Sequence, residues 1–181
     1  MRILALAAIT LLLAGCVPAD PRVTPVPIPS STPLFANDAD ALAAATDAFT
    51  EYLRVSDQIL QDGGAQPERI LGVTTARVGK VETAGFKKFK ASGYRGTGST
   101  TFSKASLERF DSNSPDGQSV VAIYICVDVS GTDVLNPSGQ SVISPTRPSE
   151  SPFEIQFEHE RMSQKLIVSS NEIWSGENFC E

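Results

Sequence analysis

Val120-Val121-Ala122-Ile123-Tyr124-Ile125-Cys126-Val127-Asp128-Val129 is the stretch on which the fold turns. Its odd positions, Val121, Ile123, Ile125, Val127 and Val129, are all β-branched and apolar, while its even positions are mixed. Successive strand side chains point to opposite faces, so period two predicts a strand whose odd set faces the core. Downstream, Phe153, Ile155 and Phe157 alternate with Glu154, Gln156 and Glu158, a second half-buried strand. Leu166–Trp174 reads as the last strand. Tyr94–Ser103, rich in Thr, Ser and Gly, reads as a half-exposed or edge strand. Turn residues separate these segments: Ser112–Gln118 with its Asp-Gly, Asn136-Pro137-Ser138-Gly139, and a loop bracketed by Arg147-Pro148 and Ser151-Pro152.

The strands follow a helical half. Residues 37–62 carry Leu42, Ala45, Phe49, Tyr52, Leu53 and Ile59 at helical spacing. Asn37 or Asp38 can cap that helix, and Gly63-Gly64 can end it. Pro67 suits the first turn of a short helix, Glu68–Leu71. A third helix is predicted over 75–91, with Val78, Val81, Phe86 and Phe89 on its buried side. Helices first and antiparallel strands afterwards predict an α+β domain, with two or three N-terminal helices on one face of a strongly curved antiparallel sheet.

The chain of 181 residues has a net charge of -6, 41% hydrophobic and 20% charged residues, and fits one domain. The acidic balance argues against nucleic-acid binding, which needs a basic surface. One His and three Cys exclude most metal and haem frameworks, so no cofactor and no metal site is expected. Arg77, Lys80, Lys87, Lys88, Lys90 and Arg95 are opposed by only one acid in their stretch, Glu82. Lys80, Lys87, Lys88 and Lys90 therefore form a candidate contact for anionic lipid headgroups or wall polymers. The plainer reading is a solvated face that offsets an acidic remainder.

Met1-Arg2, the apolar run Ile3–Leu13 and then Leu13-Ala14-Gly15-Cys16 read as a secretory signal, too short to span a membrane. Leu-Ala-Gly-Cys there resembles the lipobox of bacterial lipoproteins. The resemblance implies diacylglyceryl attachment at Cys16 and cleavage just before it, with residues 1–15 as signal peptide. Two acyl chains suffice for stable anchoring, which places the protein on the outer face of the cell membrane. Pro18, Pro21, Pro25, Pro27, Pro29 and Pro33 follow. Proline lacks the amide donor and fixes φ, so residues 16–36 read as lipidated Cys plus an extended tether of roughly 60 Å at about 3.1 Å per residue. Residues 37–181 are the single domain. With Cys16 acylated, Cys126 and Cys180 remain, and two cysteines outside the cytoplasm allow one pairing. That bridge would pin the tail Ser175–Glu181 to the central strand.

The lipobox, the tether, Ala48-Phe49-Thr50-Glu51-Tyr52-Leu53, Cys126-Val127-Asp128-Val129-Ser130 and Trp174-Ser175-Gly176 before Cys180 together resemble small secreted actinobacterial lipoproteins with a cone-shaped α+β domain. The resemblance implies the cystatin-like cone fold of nuclear transport factor two and ketosteroid isomerase, a curved sheet around a long helix with a cavity at its mouth. Function varies widely on such a fold.

The strands offer little chemistry. Tyr124 and Asp128 sit four residues apart on the polar parity, about 13 Å. Asp128 suits a cap for the turn at Ser130. His159 shares the parity of Phe157 and could contact a ligand at the cavity mouth, although a strand-end surface His between Glu158 and Glu160 is the plainer reading. Trp174 closes the core or serves as a ligand platform. No catalytic residue is expected; Trp174, His159 and Tyr124 are the candidate ligand or partner contacts. The function expected is a non-enzymatic binding or interaction module, tethered at the cell envelope, for an envelope protein or a small apolar ligand. An isomerase- or dehydratase-type enzyme, or a structural component binding anionic polymer through the basic helix, are the alternatives.

Overall fold

The computed structural model describes residues 34–111, 121–160 and 165–181. The signal segment, Cys16, most of the tether and the Ser112–Gln118 turn lie outside them.

Helix α1 spans Asp38–Gln61, and the Asn37 side chain accepts from the Asp40 amide at 2.9 Å. Asp38 and Asp40 sit in its first turn, where the helix dipole favours acids. The predicted stripe is the buried one: Ala41, Ala45, Phe49, Tyr52, Leu53 and Ile59 are buried, with Leu42 packed beside them. Gly63 and Gly64 take positive φ and turn the chain out of the helix. A 3-10 turn, Pro67–Gly72, begins at the proline as expected.

Helix α2 spans Ala76–Ala91. Its buried side keeps three of the four predicted residues, with Val78 and Phe89 half-buried, and departs from the expectation at Val81. Phe86 is buried, but Val81 is 70% exposed. Gly79 is the physical reason. A Cβ there would lie 2.6 Å from Leu71 Cδ2 and from Thr74 Oγ1, so only glycine permits this close approach to the 3-10 turn. That contact rotates Gly79, Glu82, Thr83 and Phe86 inwards and Val81 outwards.

Six strands follow: β1 Arg95–Thr97, β2 Thr101–Phe110, β3 Val121–Asp128, β4 Asp133–Leu135, β5 Glu150–His159 and β6 Leu166–Ile173. The main sheet is antiparallel in the order β2-β3-β5-β6, and β1 pairs with β4 separately. The fold is therefore α+β, with α1 over one sheet face. Val121, Ile123, Ile125 and Val127 of β3 pack with Phe49 and Ile59 of α1 and with Ile155 and Phe157 of β5 in one core. Register shifts interrupt β2 twice and β5–β6 once. Such bulges bend strands and increase their twist, which curves the sheet around α1. Val73 and Thr75 bond Val168 on the outer edge of β6, at 3.0 and 2.9 Å, whereas among the described residues no strand pairs with the outer edge of β2.

Three details depart from the sequence reading. The Thr/Ser-rich strand is two strands, β1 and β2, and β2 runs on to Phe110. Strand β4 was not expected. Ser151 and Pro152 lie inside β5 rather than in a loop. Pro152 is tolerated because its carbonyl, and hence its missing N–H, faces Trp174, just past the last residue of β6. The Asn136 turn forms as expected, its side chain accepting from Ser138 and Gln140 amides at 2.9 and 3.0 Å. Asp128 caps its turn through the Ser130 amide at 2.7 Å, and that bond holds its carboxyl below the usual range.

The C-terminal tail lies on the sheet's outer face, where Phe179 meets Tyr124. Cys126 and Cys180 stand at disulfide distance, Cα–Cα 5.5 Å. Lys104 Nζ donates to the Cys180 carbonyl at 2.7 Å and to the Phe179 carbonyl at 3.2 Å.

Candidate functional site

The second half of α1 repeats Thr50, Leu53, Arg54, Asp57, Gln58 and Gln61 at three- and four-residue spacings, so these side chains share one face. Facing them is the Ser99–Phe102 segment that leads into β2. The two walls enclose a groove of about 420 Å³, within the usual range of small-molecule clefts. Leu53 and Phe102 supply apolar surface; Thr50, Gln58, Gln61 and Thr101 supply hydrogen-bonding groups. A recess of about 190 Å³ continues past Asp57 and Gln61 towards Val129, Val134 and Arg147.

The walls are clamped together. Asp57 is buried, and its carboxylate accepts from the Thr100 amide at 2.7 Å and the Thr100 hydroxyl at 2.9 Å. Gln61 Nε2 donates to the Gly98 carbonyl at 2.6 Å. Gly98 has φ +76, and a Cβ there would lie 1.8 Å from the Gly131 carbonyl oxygen, so the chain can pass here only as glycine. Arg147 braces the recess floor through the Val129 and Thr132 carbonyls at 2.8 and 3.0 Å. On the rim, Glu51 holds Arg54 at 2.7 Å and Arg54 reaches Gln58 at 2.9 Å. The Arg54 contact holds the Glu51 carboxyl below its ordinary range.

A second polar cluster lies between α1, α2 and β6. Tyr52 Oη donates to Glu82 Oε1 at 2.7 Å and accepts from Asn171 Nδ2 at 2.9 Å. Ser169 falls at the β5–β6 register shift, which places Asn171 opposite Ile155 and hence on the core face. Burial pushes the Glu82 carboxyl up, against the pull of its bond to Tyr52, and burial beside Glu82 pushes the Tyr52 phenol up. Glu82 Oε2 and Asn171 Oδ1 are buried without hydrogen-bond partners among the described residues.

The residues named from sequence do not converge. Tyr124 and Trp174 meet on the outer sheet face with ring centroids 4.8 Å apart, and Phe179 of the tail lies 5.9 Å from Tyr124. Trp174 is half-buried and outside the hydrophobic core, so it does not close the core as the plainer reading held. A small recess of about 130 Å³, with Glu154 and Glu172, adjoins it. His159 ends β5 opposite Leu166 on the other side of the sheet. It is half-buried, and its Nε2 has no partner among the described residues. Lys80, Lys87, Lys88 and Lys90 are exposed on α2, and Lys87 pairs with Glu68 at 3.2 Å. Among the described residues no group of acids, His or Cys could hold a metal, and no helix is long and apolar enough to cross a membrane.

Sequence reasoning missed the groove and the Tyr52 cluster. Asp57 in an otherwise apolar helix stripe was the available signal for the first. The second had none, because a bulge sets which β6 residue faces inwards.

No protein-family profile matches the sequence, and comparison with curated proteins finds no match. Among solved structures, the chain is similar to the intermembrane space region of the chloroplast protein ARC6, at 10% identity and a TM-score of 0.53, covering 75% of this chain and 97% of that one. A de novo designed β-sheet protein aligns at 12% identity over 77% of this chain and 94% of that one, with a TM-score of 0.31, too low to bear on the fold. The ARC6 likeness supports the α+β fold alone.

Proposed function

We propose that this chain is a lipid-anchored binding module on the outer face of the cell membrane, of the cone-domain lipoprotein kind that its motifs resemble, and that the α1–β2 groove is its ligand site. The observation that carries this reading is the groove itself: a clamped cleft of about 420 Å³ with an apolar wall and a hydrogen-bonding rim. Such a lining suits a small amphipathic ligand, its apolar part on Leu53 and Phe102 and its polar part at Gln58, Gln61 and Thr101. Binding fits better than turnover. Both Asp57 oxygens are occupied by Thr100, Glu51 is occupied by Arg54, and the rim offers amides and hydroxyls rather than a free acid or base. The lipobox and tether supply the location, and a Cys126–Cys180 bridge suits an oxidising compartment.

Native mass spectrometry of the chain purified from its own envelope tests this. A retained small molecule is expected, and it should be lost from Gln58→Trp, which fills the groove from an exposed position. Retention unchanged by that substitution would place the ligand elsewhere and contradict the reading.

A further inference from the structure

We propose that the outward face of α2 is a docking surface for an anionic bilayer, on which the domain lies down. The helix sorts its residues sharply. Its one acid, Glu82, turns inwards to Tyr52, so the outward face keeps its cations without an anion of its own. Lys80, Val81, Ala84, Lys87 and Lys88 are exposed there; Lys87 pairs with Glu68 of the 3-10 turn at 3.2 Å, and the Lys80 and Lys88 ammonium groups have no side-chain partner among the described residues. The whole chain carries a net charge of -6 although this helix is basic, so the remainder is net acidic and an anionic surface favours approach through α2.

The apolar residues select the occupant. Val81 is 70% exposed in the middle of this basic face. Basic side chains around exposed aliphatic ones fit the boundary between anionic headgroups and acyl chains. A wall polyanion would gain nothing from Val81. A lipid chain plus a basic patch is the combination that makes membrane attachment stable. This face extends the envelope location proposed above and is independent of the groove.

The test uses the compact unit Ser31–Glu181, which contains the whole hydrophobic core and carries no anchor. Its co-sedimentation is measured with vesicles of phosphatidylcholine alone or mixed with phosphatidylglycerol. Binding is expected only with phosphatidylglycerol, and it should fall steeply with added salt. Lys80→Gln and Lys88→Gln should each weaken it roughly fivefold, and Val81→Ser should weaken it further at constant charge. All three positions are exposed, so circular dichroism should be unchanged. Equal sedimentation with both vesicle types, or none, overturns the proposal. Binding to purified anionic wall polymer that is indifferent to Val81→Ser, without vesicle binding, overturns it in favour of the wall. Because the unit lacks Cys16, failure here leaves the anchor and the groove standing.

Discussion

Glu82 shows how one residue can mislead a count. In the sequence it is the lone anion of a basic helix. In the fold it is the half-buried partner of Tyr52, and burial raises its pKa. A carboxyl whose folded pKa lies above its unfolded value of about 4.3 contributes fully below that value and loses its contribution as pH rises through the folded pKa. Glu82→Gln keeps an acceptor for Tyr52 and removes the ionisation. Its stability relative to the native chain should therefore rise between pH 3.5 and pH 7.5, read by urea unfolding at the two values; a constant difference would show that Glu82 ionises as freely as in water. Gly98 and Gly139 form a second residue-scale contrast. Both have positive φ, but a Cβ on Gly139 meets nothing within 4 Å, whereas on Gly98 it collides with the Gly131 carbonyl. Gly139→Ala should cost about 1 kcal/mol. Gly98→Ala should cost about 3 kcal/mol or more. Equal losses by thermal unfolding would mean that the β1–β2 connection yields freely.

Elements with an unbroken period were legible in the sequence. Helix α1 has one apolar stripe, a cap and a glycine stop, and β3 alternates cleanly, so both were predicted nearly to their ends, while β5 was recognised from Phe153 onwards and begins three residues earlier. Strand β2 was cut short because two register shifts scramble its alternation. On α2 only Val81 was misplaced, because the orientation of the helix is set by the Gly79 contact, which hydrophobic spacing does not encode. The candidate groove was invisible for a similar reason: its walls come from a helix and from a segment some forty residues later. The tail was legible through its cysteine. If Cys126 and Cys180 are bonded as proposed, Cys180→Ser should cost about 4 kcal/mol in the chain-entropy model. It should also expose Trp174, the only tryptophan, where it lies against Tyr124. Its fluorescence should move to longer wavelength before global unfolding; an unchanged spectrum and midpoint would show that Lys104 alone holds the tail.

At the scale of the whole molecule, the proposal divides the chain into an address, a tether and a domain with two outward features. The groove and the basic face of α2 are separate surfaces with separate lining residues, so ligand binding and bilayer contact can be abolished one at a time. Gln58→Trp should leave vesicle binding intact, and Lys80→Gln should leave ligand retention intact. Loss of both by either change would mean that the two surfaces form one site. The claim on which this arrangement rests is the anchor, since location decides both the bilayer and the oxidising surroundings. The most direct measurement is the mass of the amino-terminal peptide of the protein taken from the membrane fraction of its own cells. The account predicts a chain beginning at Cys16 and carrying a diacylglyceryl group. An unmodified Cys16, or a chain that still begins at Met1, would contradict it.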